Sequence, residues 1–265
     1  MALYIHHNPG LGDAIVCNGL VHHFRKRAST PPIVAIKKSH AYSVQQLYRH
    51  SAVVIDEVAN DQEAFEHSQA HDLLRVDLEW ARSEAGKPPM VEVAAPTEDP
   101  KKTYQWGLRK WNKFREVVEP SWEKSMYEEQ GLDYSLRYEG FELERNLERE
   151  GRLSQSLNLP KEYALSHTND CSLGVYGPLV LDTKKPVIKV WERTASIFDW
   201  IGVILGAAEI HVADSAFFQL VKQVDRSIEA VEGRKVLYDI RDLVPRSPLF
   251  REDLQGWEIR KGEKK

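Results

Sequence analysis

Over the first sixty positions, short apolar runs alternate with amphipathic stretches. Leu3-Tyr4-Ile5 reads as a strand, and the turn-forming segment Asn8-Pro9-Gly10-Leu11-Gly12 follows it. From Ala14 to Arg27, Val16, Leu20 and Phe24 recur at a spacing of four, which predicts a helix with one apolar face. Gly19 on that helix suits close packing, and Arg25, Lys26 and Arg27 suit its negative C-terminal end. Pro31-Pro32 breaks the chain before a second strand, Ile33 to Ile36. A weaker helix around Ser43 to Arg49 and strands at Ala52 to Ile55 and Leu73 to Leu78 come next. Strands alternating with helices predict a parallel sheet with helices on its faces.

The rhythm stops in the middle of the chain and returns after Pro160. From Lys101 to Arg115 there are six basic residues and no acidic ones, interleaved with Tyr104, Trp106, Trp111 and Phe114. That stretch is either an amphipathic helix with its aromatics in the core or a platform for sugars or bases. From Glu116 to Glu150, eleven acids stand against four bases, which reads as a solvated helical face or connector. Beyond it, strands are predicted at Glu162 to Leu165, Val187 to Trp191, Glu209 to Ala213 and Lys235 to Ile240. Ile197 to Leu205 is apolar on nearly every side and predicts a buried helix. The pattern is α/β in two Rossmann-like halves, residues 1–150 and 151–265.

Composition narrows the class. A hydrophobic fraction of 42% and a charged fraction of 29% describe an ordinary globular chain. The longest run of apolar residues and glycine, Trp200 to Ala208, falls far short of the about 20 residues a membrane span needs. The opening MALYIHHNPG lacks the features of a secretory leader. Two cysteines, Cys17 and Cys171, are too few for a disulfide framework or a structural zinc site and suit a reducing cytosol. A net charge of −4 gives no global pull towards nucleic acid, although the 101–115 stretch leaves a local approach open.

Three places carry candidate chemistry. The first is the strand-to-helix turn Gly10-Leu11-Gly12-Asp13. It is neither a dinucleotide fingerprint, since Ile15 stands where the third glycine belongs, nor a P-loop. Asp13 there is either a helix cap or a reactive carboxylate. His7, where the strand meets this turn, is either a substrate contact or an ordinary hydrogen-bonded histidine. The second is Asp214-Ser215-Ala216, which ends a strand and opens a helix; Asp214 or Ser215 would cap it, and its N–H groups would hold a diphosphate. The third is His167-Thr168, at the end of the first strand of the second half, where phosphate contacts or loop stabilisation would fit. Neither His6-His7 nor His22-His23 recreates a zinc-binding spacing, and no D-x-D triplet is present, so no metal is expected.

Gly10-Leu11-Gly12-Asp13 after the first strand, with Asp214-Ser215 after a late one, resembles the heptosyltransferase group of glycosyltransferases. More loosely it is similar to other inverting transferases of the GT-B fold, fucosyltransferase-like relatives included. Two positions depart from the group. Asn18-Gly19 stands where a proline is usual, and Ala216-Phe217-Phe218-Gln219 replaces a Gly-x-x-His continuation. The resemblance implies two domains facing a cleft, with Gly10 and Gly12 on the acceptor side and Asp13 as catalytic base. It implies a nucleotide-sugar site around Asp214, Ser215 and Ala216, and places the loop of Trp191 and Arg193 against base and ribose. The implied reaction is metal-independent and inverting, from a nucleotide-diphosphate sugar to a hydroxyl acceptor such as a glycan. A helix start weakens a carboxylate as a base, but the acceptor hydroxyl turns acidic as its bond to the sugar forms. A non-catalytic sugar-nucleotide or glycan-binding module and a transferase acting on a nucleic-acid base are the competing classes.

Overall fold

The computed structural model describes residues 3–7, 10–68, 71–76, 122–128, 130–168, 179–191, 194–240 and 251–263. The basic and aromatic stretch 101–115 and Arg193 lie outside them. The described residues up to Glu142 form one compact unit, and those from Leu143 onward form a second. Each is a parallel sheet with helices, the α/β architecture that the alternating pattern predicts. Among the described residues, no helix is long and apolar enough to cross a membrane.

The first sheet contains β1 (Leu3–His7), β2 (Ile33–Lys37), β3 (Val54–Val58) and β4 (Asp72–Val76), in the order β3-β2-β1-β4. All three pairings are parallel. Between strands run α1 (Leu11–Val16), α2 (Asn18–Arg25), α3 (Ala41–Leu47) and α4 (Asp61–Ser68). The single helix expected over Ala14 to Arg27 is therefore two, broken at Cys17.

The break has a packing cause. After β4, the described chain resumes with α5 (Trp122–Glu128) and α6 (Leu136–Glu139). Tyr127 donates its hydroxyl to the Val16 carbonyl at 2.6 Å, capturing a group that the interrupted helix leaves open. A Cβ on Gly19 would fall on the Leu136 carbonyl oxygen, so only glycine allows α6 this close. Asn18 accepts a 2.8 Å hydrogen bond from the Glu142 backbone N–H. Asn18-Gly19 is thus the docking point for the end of the unit.

A charged pair is sealed inside this layer. Arg137, fully buried, donates from Nη1 to Glu123 Oε2 at 2.6 Å and to the Tyr134 hydroxyl at 2.7 Å. Its guanidinium lies 5.0 Å from the Tyr138 ring centroid. In the sequence, Glu123 belongs to the acidic run that reads as solvated. The structure corrects that for Glu123 and for Glu150, both buried against arginine.

The second sheet has the order β6-β5-β7-β8-β9, all parallel. Its strands are β5 (Ala164–His167), β6 (Val187–Lys189), β7 (Glu209–Ala213), β8 (Arg234–Asp239) and β9 (Trp257–Lys261). Helix α7 (Leu147–Leu157) precedes it, capped by Asn146, whose side chain accepts from Arg149 N. The predicted buried helix is a 3₁₀ turn, Ile197–Trp200, running into α8 (Ile201–Leu205). Helix α9 (Ala216–Gln223) follows β7.

The segment 179–182 packs against this sheet. Leu179 packs with Ala213, Val236, Tyr238 and Ile240. The Asp182 N–H donates to the Tyr238 hydroxyl at 3.1 Å, and Arg234 and Arg260 hold its carboxylate at 3.1 and 2.7 Å. Beneath it, His211 is fully buried between Tyr238 (3.0 Å from Nδ1) and Glu209 (2.9 Å from Nε2).

Burial is the largest influence on His211 and lowers its pKa against the opposing pull of Glu209. The pKa values of His22, His23 and His40 are lowered by burial too. A folded-state value below the unfolded one means that the unfolded chain binds the extra protons. These histidines therefore give their full contribution above about pH 6.5 and lose it as pH falls below that. Denaturant midpoints should drop between pH 7 and pH 5, and His211→Gln should shrink that drop. Equal drops in the two proteins would remove His211 from the account.

Candidate functional site

In open parallel sheets, ligands bind at the carboxyl edge where successive connections diverge to opposite sides. In the first sheet, β1 lies between β2 and β4, so the divergence falls at the end of β1, where Gly10 opens α1. In the second sheet, β5 lies between β6 and β7. Its edge carries His167-Thr168 at the end of β5 and Asp214-Ser215 at the end of β7.

At the first edge, the N-cap of α1 is Gly10, and Asp13 stands third in the helix. The reading of Asp13 as the cap is thereby corrected. Its half-buried carboxylate folds back onto Gly10, since a Cβ on Gly10 would fall on Asp13 Oδ2. A side chain at position 10 would displace the Asp13 carboxylate from this pose. His7 is fully buried at the strand end, and Gly12 is half-buried. The structure thus places Gly10 and Asp13 against each other and keeps His7 in the interior.

The second edge is built more densely. Ser215 is the N-cap of α9 and accepts from Phe218 N at 3.3 Å. It donates to the Ala213 carbonyl at 3.0 Å and lies 3.2 Å from His167 Nδ1. The His167 ring stacks on Phe217, centroids 5.2 Å apart, and Phe217 meets the edge of Trp200. Thr168 is buried, its hydroxyl 3.4 Å from that of Ser166. Asp214 and Ala216 are half-buried beside Ser215. Helix geometry leaves the Ala216 and Phe217 N–H groups without intrahelical carbonyls, which suits an anion.

The chain leaves the sheet again beside this edge. Val190 N donates to the Ser166 carbonyl at 2.9 Å, and Trp191 follows, 55% exposed. Lys189 Nζ lies 5.9 Å from its ring centroid. Farther along the same loop, Thr194 and Arg149 both donate to Asp199 Oδ2, fixing the loop to α7. Sequence reasoning names His167, Trp191 and Ser215 but misses Phe217, Lys189 and Asp199. The aromatic after Asp-Ser is the one signal that pointed to Phe217. Asp199 carries none, because its partners lie 5 and 50 positions away. Among the described residues, no three His, Cys, Asp or Glu side chains gather as metal ligands.

No model of a known protein family matches the sequence, and no curated protein matches it. A solved structure of a glycosyl transferase family 9 protein from Veillonella parvula DSM 2008 is similar in fold, with a TM-score of 0.52. The similarity covers 100% of this chain and 88% of that one, at 12% sequence identity. What the two share at that identity is the fold.

Proposed function

We propose that the chain is a glycosyltransferase that moves a sugar from a nucleotide-diphosphate sugar to a hydroxyl acceptor, with inversion and without a metal. The carrying observation is Ser215, capping α9 at the point where connections diverge around β5, with His167 against it. A nucleoside diphosphate there would rest its phosphates on the α9 N–H groups and Ser215, with Trp191 beside the base. In the other unit, Asp13 would take the acceptor proton. The acceptor oxygen would then form its bond to the anomeric carbon as the bond to the diphosphate breaks.

A panel of nucleoside diphosphates tests the binding half directly, because a bound nucleotide raises the melting temperature by mass action. At least one diphosphate should stabilise the protein. Ser215→Leu should lose that shift while the second unit stays folded. An undiminished shift in Ser215→Leu would remove the site. Turnover should also persist in excess chelator, and loss restored by a divalent ion would remove metal independence.

A further inference from the structure

Trp191 stands between two fixed points of the chain. On one side, Val190 N donates to the Ser166 carbonyl of β5 at 2.9 Å. On the other, the Thr194 hydroxyl donates to Asp199 Oδ2. The chain from Trp191 to Thr194 can span at most about 11 Å, so the two bonds together confine where Trp191 stands. Its side chain is 55% exposed, and its placement follows the backbone that carries it.

Asp199 is itself held firmly. It is 1% exposed, in the 3₁₀ turn that Ser196 caps by accepting from Phe198 N at 3.3 Å. Arg149 of α7 donates to the same Oδ2 twice, from Nε at 3.1 Å and from Nη2 at 2.6 Å. Oδ1 accepts from none of the described residues, so the carboxylate grips the loop through one oxygen. A carboxylate only accepts, which fixes the direction of all three bonds. The next residue, Trp200, meets the edge of Phe217, which stacks on the His167 ring. Asp199 thus belongs to the packed body behind the second edge, and Thr194 belongs to the loop beside it.

The Arg149–Asp199 pair joins α7 to the turn by itself; the Thr194 hydroxyl adds the loop to that pair. We propose that Asp199 is a positioning residue for nucleotide binding, acting through the Thr194 hydroxyl to hold Trp191 beside the base. This rests on the nucleotide site proposed above and extends it to residues that touch no ligand. A segment already in its bound conformation spares the ligand the cost of ordering it. Cut loose, the loop samples other conformations, and apparent affinity falls with the fraction that remains competent.

Thr194→Val and Thr194→Ala remove the hydroxyl and spare the Arg149–Asp199 pair, whereas Thr194→Ser keeps the hydroxyl. Calorimetry measures binding of ADP, UDP, GDP and inorganic pyrophosphate to each variant. Affinity for the nucleoside diphosphates that bind should fall by about tenfold in the first two variants and stay at the wild-type level in Thr194→Ser. Pyrophosphate has no base, so its affinity should not change. In a Trp191→Ala background, Thr194→Val should cost nothing further, because its effect runs through Trp191. Undiminished nucleotide affinity in Thr194→Val and Thr194→Ala would overturn this assignment alone. So would an equal loss for pyrophosphate, which marks a contact that only supports the fold, or a full further loss in the Trp191→Ala background. A wild type that binds no nucleoside diphosphate would overturn the nucleotide site along with it.

Discussion

Asp13→Asn should leave the protein folded and lower turnover by about 10²–10⁴-fold, the usual worth of a general base. Asn reproduces the shape of the carboxylate folded over Gly10 but cannot take the acceptor proton. Because Asp13 is third in α1 and not its cap, losing its charge removes a favourable interaction with the helix dipole, about 0.3–1 kcal/mol. Turnover and melting temperature are therefore expected to separate. Nucleotide binding in the other unit should be untouched, which also distinguishes the enzyme from a pure binding module. A normal turnover number in Asp13→Asn would leave the proposed mechanism without its base.

Glu123→Leu should destabilise the first unit by about 3–5 kcal/mol, because it removes a carboxylate held 2.6 Å from the buried Arg137 guanidinium. The Tyr134 hydroxyl and the Tyr138 ring stay in place but are neutral and do not substitute for the Glu123 carboxylate. Combining Glu123→Leu with Arg137→Leu should recover much of the loss, since apolar replacement of both partners of a buried pair is often close to neutral. Urea denaturation of the three variants measures this. A loss below about 1 kcal/mol in Glu123→Leu would mean that water reaches the guanidinium.

The sequence discloses those elements whose apolar pattern is self-sufficient. Glu209 to Ala213 is read with the boundaries that β7 has, because Ile210, Val212 and Ala213 are buried whatever surrounds them. Strand β9 goes unread. Its Glu258 and Arg260 look like a polar tail until Arg234 and Asp182 are brought beside them. The same holds for α7, hidden in an acidic run whose Glu150 finds Arg145 only in the fold. The helix break at Cys17 was also illegible, since its causes, Tyr127 and Leu136, stand more than a hundred positions away. At the candidate site, strand ends announced His167, Ser215 and Gly10. The folded-back pose of Asp13 and the direction of the Ser215 hydroxyl needed coordinates, because both depend on groups that local pattern does not place.

The docking of α5 and α6 onto α1 and α2 has a consequence for how the chain is born. When β4 has left the ribosome, the first sheet has all four strands, yet Val16, Asn18 and Gly19 still lack Tyr127, Glu142 and Leu136. At about 5–20 residues per second, some seconds of synthesis separate the two events. Through that interval the nascent sheet shows an apolar, glycine-notched helix pair to its surroundings, and closing the gap later costs loop entropy that grows only slowly with length. Chaperone dependence during synthesis should therefore concentrate on the first unit, and chains stopped between residues 76 and 142 should be the aggregation-prone ones.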